Sequence, residues 1–157
     1  MSNLLADATA FINLEADMLD FKEYREWLAL WDADGTYVVP IDPDTEDYAN
    51  TLNFAYDKAA MRQMRVERLL GGEAISTQTT SKTVRSVSRF RILSQSGDVV
   101  TVRCSQFIAE NRHGNVKTYP TDVTYKLRAT ADGLRIVEKV VRLLNAEHHL
   151  SSIGYIL

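Results

Sequence analysis

Three histidines and one cysteine are the strongest potential metal ligands in this sequence of 157 residues. A mononuclear non-haem iron site needs two His and a carboxylate on one face of an open site. His148 and His149 are adjacent, so in an extended chain they point in opposite directions. Glu147 beside them supplies a carboxylate, but this spacing does not place the three side chains on one face. His113 falls in a predicted hairpin turn. We therefore expect these residues to lie in a tail or a turn, and we predict no metal-binding residue.

Cys104 is the single cysteine, so no intramolecular disulfide can form. A Rieske-type iron–sulfur centre needs two Cys and two His, and zinc sites use paired Cys or a His-Glu-x-x-His pattern. Neither set is present, and nucleophile elbows, phosphate loops and dinucleotide fingerprints are absent as well. The strand-like residues around Cys104 predict a small buried side chain. The sequence therefore predicts no catalytic and no cofactor-binding residue in this chain.

An acid–base enzyme is the main alternative to a non-catalytic chain. Small enzymes with a cupped sheet over helices place Asp, His and Tyr in an apolar cavity, where burial moves a pKa toward the working range. The side chains that could do this chemistry are Tyr37, Tyr119, Asp122, Tyr125 and His148. Strand alternation places Asp122 on the face opposite Tyr119 and Tyr125, which favours core packing over catalysis. A stand-alone dehydratase, isomerase or epoxide hydrolase remains open as the second hypothesis.

The charge balance argues against several classes of partner. The chain has 18 basic and 21 acidic residues, for a net charge of −3, whereas nucleic-acid binders usually carry a basic domain. No apolar run approaches the roughly 20 residues that a membrane span needs, and residues 1–8 lack the pattern of a secretory signal. We expect no nucleic acid, no membrane association and a cytoplasmic location.

Helical spacing dominates the first third of the chain. Apolar residues at this spacing over 4–19 predict a first helix, which Asn3 or Ser2 could cap. Asp20, with an acidic residue three positions later, forms a capping-box pattern that predicts the N-cap of a second helix. The apolar residues of this second helix recur over 21–31.

The next segments are predicted from turn and helix-end signals. Asp34-Gly35 should end the second helix before a short strand at 37–39. Residues 40–56 contain two prolines and an acidic run, which predicts a solvated loop or, alternatively, a cation or partner site. A third helix is expected from an Asp57 cap through Leu70, ended by a glycine pair. Residues 73–83, rich in Ser and Thr, predict a loop.

The second half of the chain changes to strand periodicity. Three turn signals divide it into four strands, at about 84–95, 99–111, 116–129 and 134–145. The third strand alternates, with Tyr119, Val123 and Tyr125 on one face and polar residues on the other. Pro120 within this strand predicts a bulge or a sheet edge at that point.

Helices followed by a long meander predict an α+β fold. Strands longer than the usual ~5–6 residues must twist and coil. We therefore expect a single domain over residues 1–157, in which the N-terminal helices pack in a strongly curved, cone-shaped antiparallel sheet.

Arginines and the apolar tail are the candidates for a subunit interface. Arg85, Arg89 and Arg91 are predicted to share one strand face with apolar neighbours, a pattern that suits an interface as well as a solvated face. The tail at 153–157 is apolar, which favours its docking against this domain or a neighbour. The predicted subunit-interface residues are Arg85, Arg89, Arg91, Arg142 and Tyr155.

Four segments, taken in order, carry a resemblance over nearly the whole chain. They are Glu15–Trp31 ending in Tyr37–Pro40, Arg65–Leu69 followed by Gly72, Ser81–Ile92, and Ile136–Asn145. Together they resemble the β (small) subunits of bacterial aromatic-ring-hydroxylating dioxygenases. No single segment is specific by itself, but their order and spacing are.

The resemblance implies a fold and a partner. It implies the cone-like curved sheet also seen in nuclear transport factor 2 and steroid isomerases. It further implies that three β subunits form a base for three catalytic α subunits. In such an assembly the α chain holds the Rieske 2Fe–2S cluster and the mononuclear iron and performs cis-dihydroxylation with O2 and NAD(P)H-derived electrons. The β chain is mostly structural, although in some systems it affects substrate choice.

The chain departs from the family pattern at one segment. The family commonly has Ser-Arg-Thr-Arg-His where this chain has Ser81-Lys82-Thr83-Val84-Arg85. Lys82 keeps the charge but lacks the planar fork of Arg, and Val84 has no charge. If the family residues contact the α subunit, that contact differs in this chain.

Overall fold

Three α-helices and a six-stranded sheet form the part of the chain that the computed structural model describes, which is residues 3–71, 81–144 and 155–157. A short 3-10 helix at Tyr48–Asn50 lies between the first two strands. The elements in chain order are α1 (Leu4–Asp20), α2 (Tyr24–Leu28), β1 (Trp31–Pro40), β2 (Asn53–Asp57), α3 (Ala59–Leu70), β3 (Ser81–Ser96), β4 (Val99–Arg112), β5 (Asn115–Thr130) and β6 (Gly133–Leu143).

The sheet has the strand order β2-β1-β6-β5-β4-β3. The antiparallel meander from β3 to β6 lies close to its predicted bounds, which confirms that prediction. One pair differs from the expected antiparallel sheet, because β1 runs parallel to β6. The sequence shows β1 only as a short strand and contains no local signal for a partner so distant along the chain.

The sheet curves around α1, as expected for a cone. Side chains of this single helix reach the edge strand β3 as well as the central strands β5 and β6. The concave face supplies most of the core, where residues from α1, α2 and five of the strands are buried. β3 contributes the partly buried Val87, Phe90 and Ile92. On β5 the predicted alternation is confirmed, since Tyr119, Val123 and Tyr125 are buried while Asp122 and Lys126 are more exposed.

The N-terminal helices follow the prediction in part. Asn3 caps α1, its Oδ1 accepting a hydrogen bond from the Ala6 amide at 3.2 Å. Asp20 is not the N-cap of the second helix, because α1 continues through it. The second helix ends at Leu28, and Trp31 already lies in β1. The apolar pattern continues past the end of the helix because buried side chains such as Trp31 still face the core where the backbone is extended.

The segment predicted as a loop at 40–56 contains an unpredicted strand. β2 pairs with β1 at the sheet edge, and Asp57 ends this strand instead of capping α3. The Asp57 carboxylate accepts hydrogen bonds from Arg65 at 2.6 and 3.2 Å, so it stabilises α3 from the side. Part of the second predicted loop, 81–83, belongs to β3, and its other residues lie almost entirely outside the described part.

Pro120 lies at a local edge of the sheet, in agreement with one of its two predicted roles. β5 pairs with β4 along its whole length, but pairing with β6 begins only at Thr121. Residues 115–120 therefore have a neighbour on one side, and the missing N–H of proline leaves no ladder bond unmade. The Pro120 carbonyl accepts a hydrogen bond from the Leu144 amide.

A bulge in β3 corrects the predicted face of its arginines. Arg89 has φ +60, and the pairing register shifts between Ser88 and Arg91. The extra residue reverses the alternation. Arg85 consequently faces the concave side, whereas Arg89 and Arg91 face outward, and the three do not share one face.

Gly35 is required by close packing within β1. A Cβ at this position would lie 2.7 Å from the Ile136 carbonyl oxygen and 2.8 Å from Trp31 Cε3. The first of these atoms belongs to the backbone of β6, so it cannot move aside without disturbing the pairing of β1 with β6.

We expect Gly35→Ala to lower the free energy of unfolding by about 1–3 kcal/mol, the usual cost of overpacking. Urea denaturation measures this loss. Gly97→Asn is the matched control, because no atom lies within 4 Å of the position where its Cβ would be and Asn tolerates the left-handed backbone there. Equal losses for the two variants would contradict the packing argument.

Candidate functional site

A buried ion pair occupies the interior of the cone, where a pocket enzyme would hold its substrate. Lys139 Nζ on β6 lies 2.9 Å from Glu15 Oε2 on α1, and the two side chains are 0% and 1% exposed. Their near-complete burial removes both charges from water, so each needs further hydrogen bonds to be tolerated.

Aromatic side chains complete the coordination of Glu15. Trp27 Nε1 donates to Oε2 at 2.9 Å and the Tyr125 hydroxyl donates to Oε1 at 2.6 Å. Burial, followed by the negative charge of Glu15, raises the pKa of Tyr125 well above its ordinary value. Burial lowers the pKa of Lys139, although Glu15 opposes this shift. Each polar group of this cluster therefore has a hydrogen-bond partner within it. The Tyr125 hydroxyl uses its proton in the hydrogen bond to Glu15.

Residues 155–157 close this interior. The Leu157 amide donates to the Tyr37 hydroxyl at 2.9 Å, and the Leu157 carbonyl oxygen accepts from Gln106 Nε2 at 3.1 Å and from Lys139 Nζ at 3.3 Å. Ile156 and Leu157 are almost fully buried. The expectation that the apolar tail docks on its own domain is confirmed for these residues.

Asp20 and Arg85 join α1, β3 and the tail. The Asp20 carboxylate accepts hydrogen bonds from the Arg85 amide at 2.8 Å and from the Thr83 hydroxyl at 3.0 Å. The Arg85 guanidinium pairs with Asp20 and also donates to the Ile156 carbonyl. Its side chain is only 2% exposed, so its charge is used within the chain.

The five candidate acid–base residues are not brought together. Tyr37, Tyr119 and Tyr125 are buried on the concave side. The side chain of Asp122 is 48% exposed on the opposite face, where it pairs with Arg89. His148 lies outside the described residues. Among these candidates, Asp122 therefore lies on the face opposite the three tyrosines. Tyr125 instead donates to Glu15, whose carboxylate is already paired with Lys139.

The potential metal ligands are equally dispersed. Cys104 is buried, as predicted, and burial raises the pKa of its thiol to about 12. His113 lies in the turn between β4 and β5 with φ +53, whereas His149 and its neighbours lie outside the described residues. In the ranges 3–71, 81–144 and 155–157, no three or more His, Cys, Asp or Glu side chains are grouped to hold a metal ion.

The convex surface of the sheet, called here the outer face, carries several accessible charges. Arg89 Nη2 lies 3.2 Å from Asp122 Oδ1, with both side chains about half exposed. Arg142 stacks over Tyr48 at 5.7 Å and donates to its hydroxyl. Two adjoining grooves run along this face, of about 640 and 450 Å3, and both are lined by Asp44, Asp122 and Arg142.

The predicted interface residues therefore have different environments. Arg89 and Arg91 are exposed on the outer face. Arg142 is partly buried beneath Tyr48. The Tyr155 hydroxyl donates to Glu110 Oε2 at 2.8 Å, and the Tyr155 ring lies 5.9 Å from the Arg85 guanidinium. Whether these residues contact a partner stays a prediction, and we leave Arg85 out because its charge is already paired.

The sequence analysis missed the two charges at the centre of the fold. Glu15 falls on the α1 face formed by Ala8, Ile12 and Leu19, and Lys139 alternates with Val141 on β6. A charged residue on an otherwise apolar face is a detectable signal. One such residue on each of two elements predicts a buried pair.

Comparison with known proteins agrees with this geometry. The profile described as "Ring hydroxylating beta subunit" matches residues 14–148. The chain belongs to the ring hydroxylating beta subunit family. Its sequence is 33% identical over 127 residues to the small oxygenase component of the p-cumate 2,3-dioxygenase system of Pseudomonas putida, covering 80% of this chain and 71% of that one.

Solved structures agree with the family and the fold. The β subunit of benzoate 1,2-dioxygenase from Burkholderia mallei superposes with a TM-score of 0.80 at 27% identity, over 97% of both chains. An NTF2-like protein with a cystatin-like fold from Novosphingobium aromaticivorans gives 0.64 at 17% identity, covering 95% of this chain and 88% of that one, which shows the fold alone. The predicted family and cone-like fold are thereby confirmed. No described helix of this β-subunit family member is long and apolar enough to cross a membrane.

We expect Glu15→Gln to lower the free energy of unfolding by about 3–5 kcal/mol, because it leaves the Lys139 charge buried without a counter-charge. Urea denaturation measures the loss. The double variant Glu15→Gln with Lys139→Met removes the orphaned charge and should recover part of the stability. A double variant less stable than Glu15→Gln would show that the charge is not the cause.

We also expect stability to fall above pH 10. Burial raises the pKa of Tyr37 and of Tyr125 above the ordinary 10.0, so the unfolded chain releases these protons first. The stabilisation is complete below pH 10.0 and is lost as pH rises toward the folded-state values. Burial also raises the pKa of Tyr24, Tyr48, Tyr155 and Cys104, which adds to this fall, whereas the lowered pKa of Lys139 opposes it.

Urea denaturation between about pH 9 and 11 measures the slope, because that range spans the ordinary tyrosine pKa. Tyr125→Phe should make the decline shallower, whereas Tyr56→Phe, at an exposed tyrosine, should leave it unchanged. Equal slopes for the two variants would contradict the assignment to Tyr125.

Proposed function

We propose that this chain is the non-catalytic, structural β subunit of a Rieske-type aromatic-ring-hydroxylating dioxygenase. In this assignment three copies form a trimer that supports three catalytic α subunits in an α3β3 assembly. Aromatic compounds are the proposed substrates of the assembly, and the cytoplasm is its proposed location. The residues from 1 to 157 are proposed to act as one domain within it.

The observation that carries the proposal is that a buried ion pair and the tail residues occupy the centre of the cone in the described part of the chain. Family membership specifies a β subunit, and the place of a pocket is taken by the ion pair of Glu15 with Lys139 and by the buried Ile156 and Leu157. The charged and hydroxyl groups of this cluster are hydrogen-bonded to one another. Arg89 and Arg91 are exposed on the outer face, where a partner could contact them.

In this division of labour the α subunit holds the Rieske cluster and the mononuclear iron. The ligand types of this chain do not fit the Rieske cluster, because Cys104 is the single cysteine and the cluster needs two Cys with two His. For the mononuclear iron, the described residues contain no group of three His, Cys, Asp or Glu side chains that could hold it. No reaction step is therefore assigned to residues of this chain. The proposed subunit-interface residues are Arg89, Arg91 and Arg142 on the outer face, and Tyr155, which packs against the core near Arg85.

Light scattering on a sizing column tests the assembly. We expect the purified chain alone to elute with three times the 17.8 kDa of one chain, and a mixture with its Rieske-type α subunit to give a three-plus-three complex. Ring hydroxylation should require the α subunit. A monomer that ignores the α subunit, or stoichiometric iron in the chain purified alone, would overturn the proposal.

A further inference from the structure

Two arginines on the outer face stand directly opposite each other. Arg91 on β3 pairs in register with Arg103 on β4, so their Cβ atoms are about 5 Å apart. Like charges in this arrangement destabilise a sheet. Neither guanidinium forms an ion pair or hydrogen bond within the described residues, and the nearby Asp122 is already paired with Arg89.

The same chain carries unpaired carboxylates on the segment 42–47, called here the acidic segment. Asp44 and Glu46 are exposed, and their carboxylates form no ion pair within the described part of the chain. The segment is nevertheless held in shape, since the Asp44 amide donates to Asp42 Oδ1 at 2.9 Å and the Asp47 amide to Thr45 Oγ1 at 3.3 Å. An ordered acidic surface loses little conformational freedom on binding.

The basic pair and the acidic segment do not neutralise each other within one chain. Asp44, Glu46 and Arg103 line the same groove of about 640 Å3, but no hydrogen bond or ion pair joins them among the described residues. Both charge signs line the groove, but Asp122, Lys126 and Glu138 are paired within the chain. The carboxylates of Asp44 and Glu46 and the guanidinium of Arg103 therefore remain available to a neighbouring molecule of opposite charge.

We infer that Arg91 and Arg103 bind the acidic segment of a second copy of this chain. The inference rests on the proposed trimer and adds the surfaces that would form it. A closed ring of three needs a heterologous contact, in which one patch of each subunit meets a different patch of the next. The basic pair and the acidic segment are two such patches with complementary charge.

Charge-swap variants test the contact. The first variant carries Arg91→Glu with Arg103→Glu, and the second carries Asp44→Arg with Glu46→Arg. We expect each to lose the trimer, with the light-scattering mass falling about threefold, because like charges then face each other. The four-substitution variant restores complementarity and should regain the trimer mass.

A matched control separates the contact from net charge. Lys58→Glu with Lys117→Glu changes the net charge as much as the first variant does, at exposed positions away from the basic pair. We expect this control to remain trimeric. Circular dichroism spectra that match the wild type show that loss of the trimer is not loss of the fold, whereas the melting temperature itself falls when subunits dissociate.

Mixing the first two variants distinguishes a ring of three from a pair. The first variant has two acidic surfaces and the second has two basic surfaces. One copy of each forms two contacts of opposite charge in a two-fold dimer, but a closed ring of three always contains two copies of one variant and therefore one contact between like charges. We expect the mixture to form no trimer. A mixed dimer would overturn the three-fold contact.

The remaining outcomes separate this inference from the proposed function. A wild-type trimer whose swap variants also remain trimeric overturns the inference and leaves the β-subunit proposal intact. If those variants instead lose only the α subunit on mixing, the surface belongs to the α contact and the inference fails. A wild-type chain that forms no trimer overturns the proposed assembly and this contact with it.

Discussion

The ion pair of Lys139 with Glu15 is the interaction on which the rest of this structure depends. Two charges buried away from water require further hydrogen bonds to be tolerated. These hydrogen bonds come from the helices, the sheet and the tail. Trp27 follows α1, Tyr125 lies on a central strand, and the Leu157 main chain comes from the tail. A shift of α1 by one residue would move the carboxylate away from all of them. The pair therefore fixes the register of the helix within the sheet.

The two faces of the sheet use their polar groups in opposite ways. On the concave face the buried charges are paired within the chain, as the Asp20–Arg85 and Glu15–Lys139 contacts illustrate. On the convex face, Arg91 and Arg103 are placed side by side without a counter-charge from the described residues. Desolvation of an unpaired charge costs free energy, so folding pairs the charges that it buries and leaves unpaired charges in water, where a partner can bind them. This asymmetry suits a subunit that acts through contacts and leaves the chemistry to another chain.

Local signals explain what could be predicted from the sequence. The four long strands were found because glycine turns separate clear runs, and Asn3 because capping is a local interaction. The second helix was extended too far because Trp31 stays in the core whether its backbone is helical or extended. The bulge at Arg89 and the pairing of β1 with β6 depend on distant contacts that periodicity does not encode. Glu15 and Lys139 could have been found, since each interrupts an apolar face.

The parallel pairing of β1 with β6 has a consequence for biosynthesis. Trp31 of β1 aligns with Ile136 of β6. β1 is synthesised early in translation, but it cannot pair with β6 until the chain has been synthesised as far as residue 136. Until then β1 has only β2 beside it, and its other edge, with the apolar residues Tyr37 to Val39, has no backbone partner. Such long-range closure slows folding and leaves nascent chains prone to association. The ribosome-bound intermediate is thus the form of this protein with the greatest need of a chaperone.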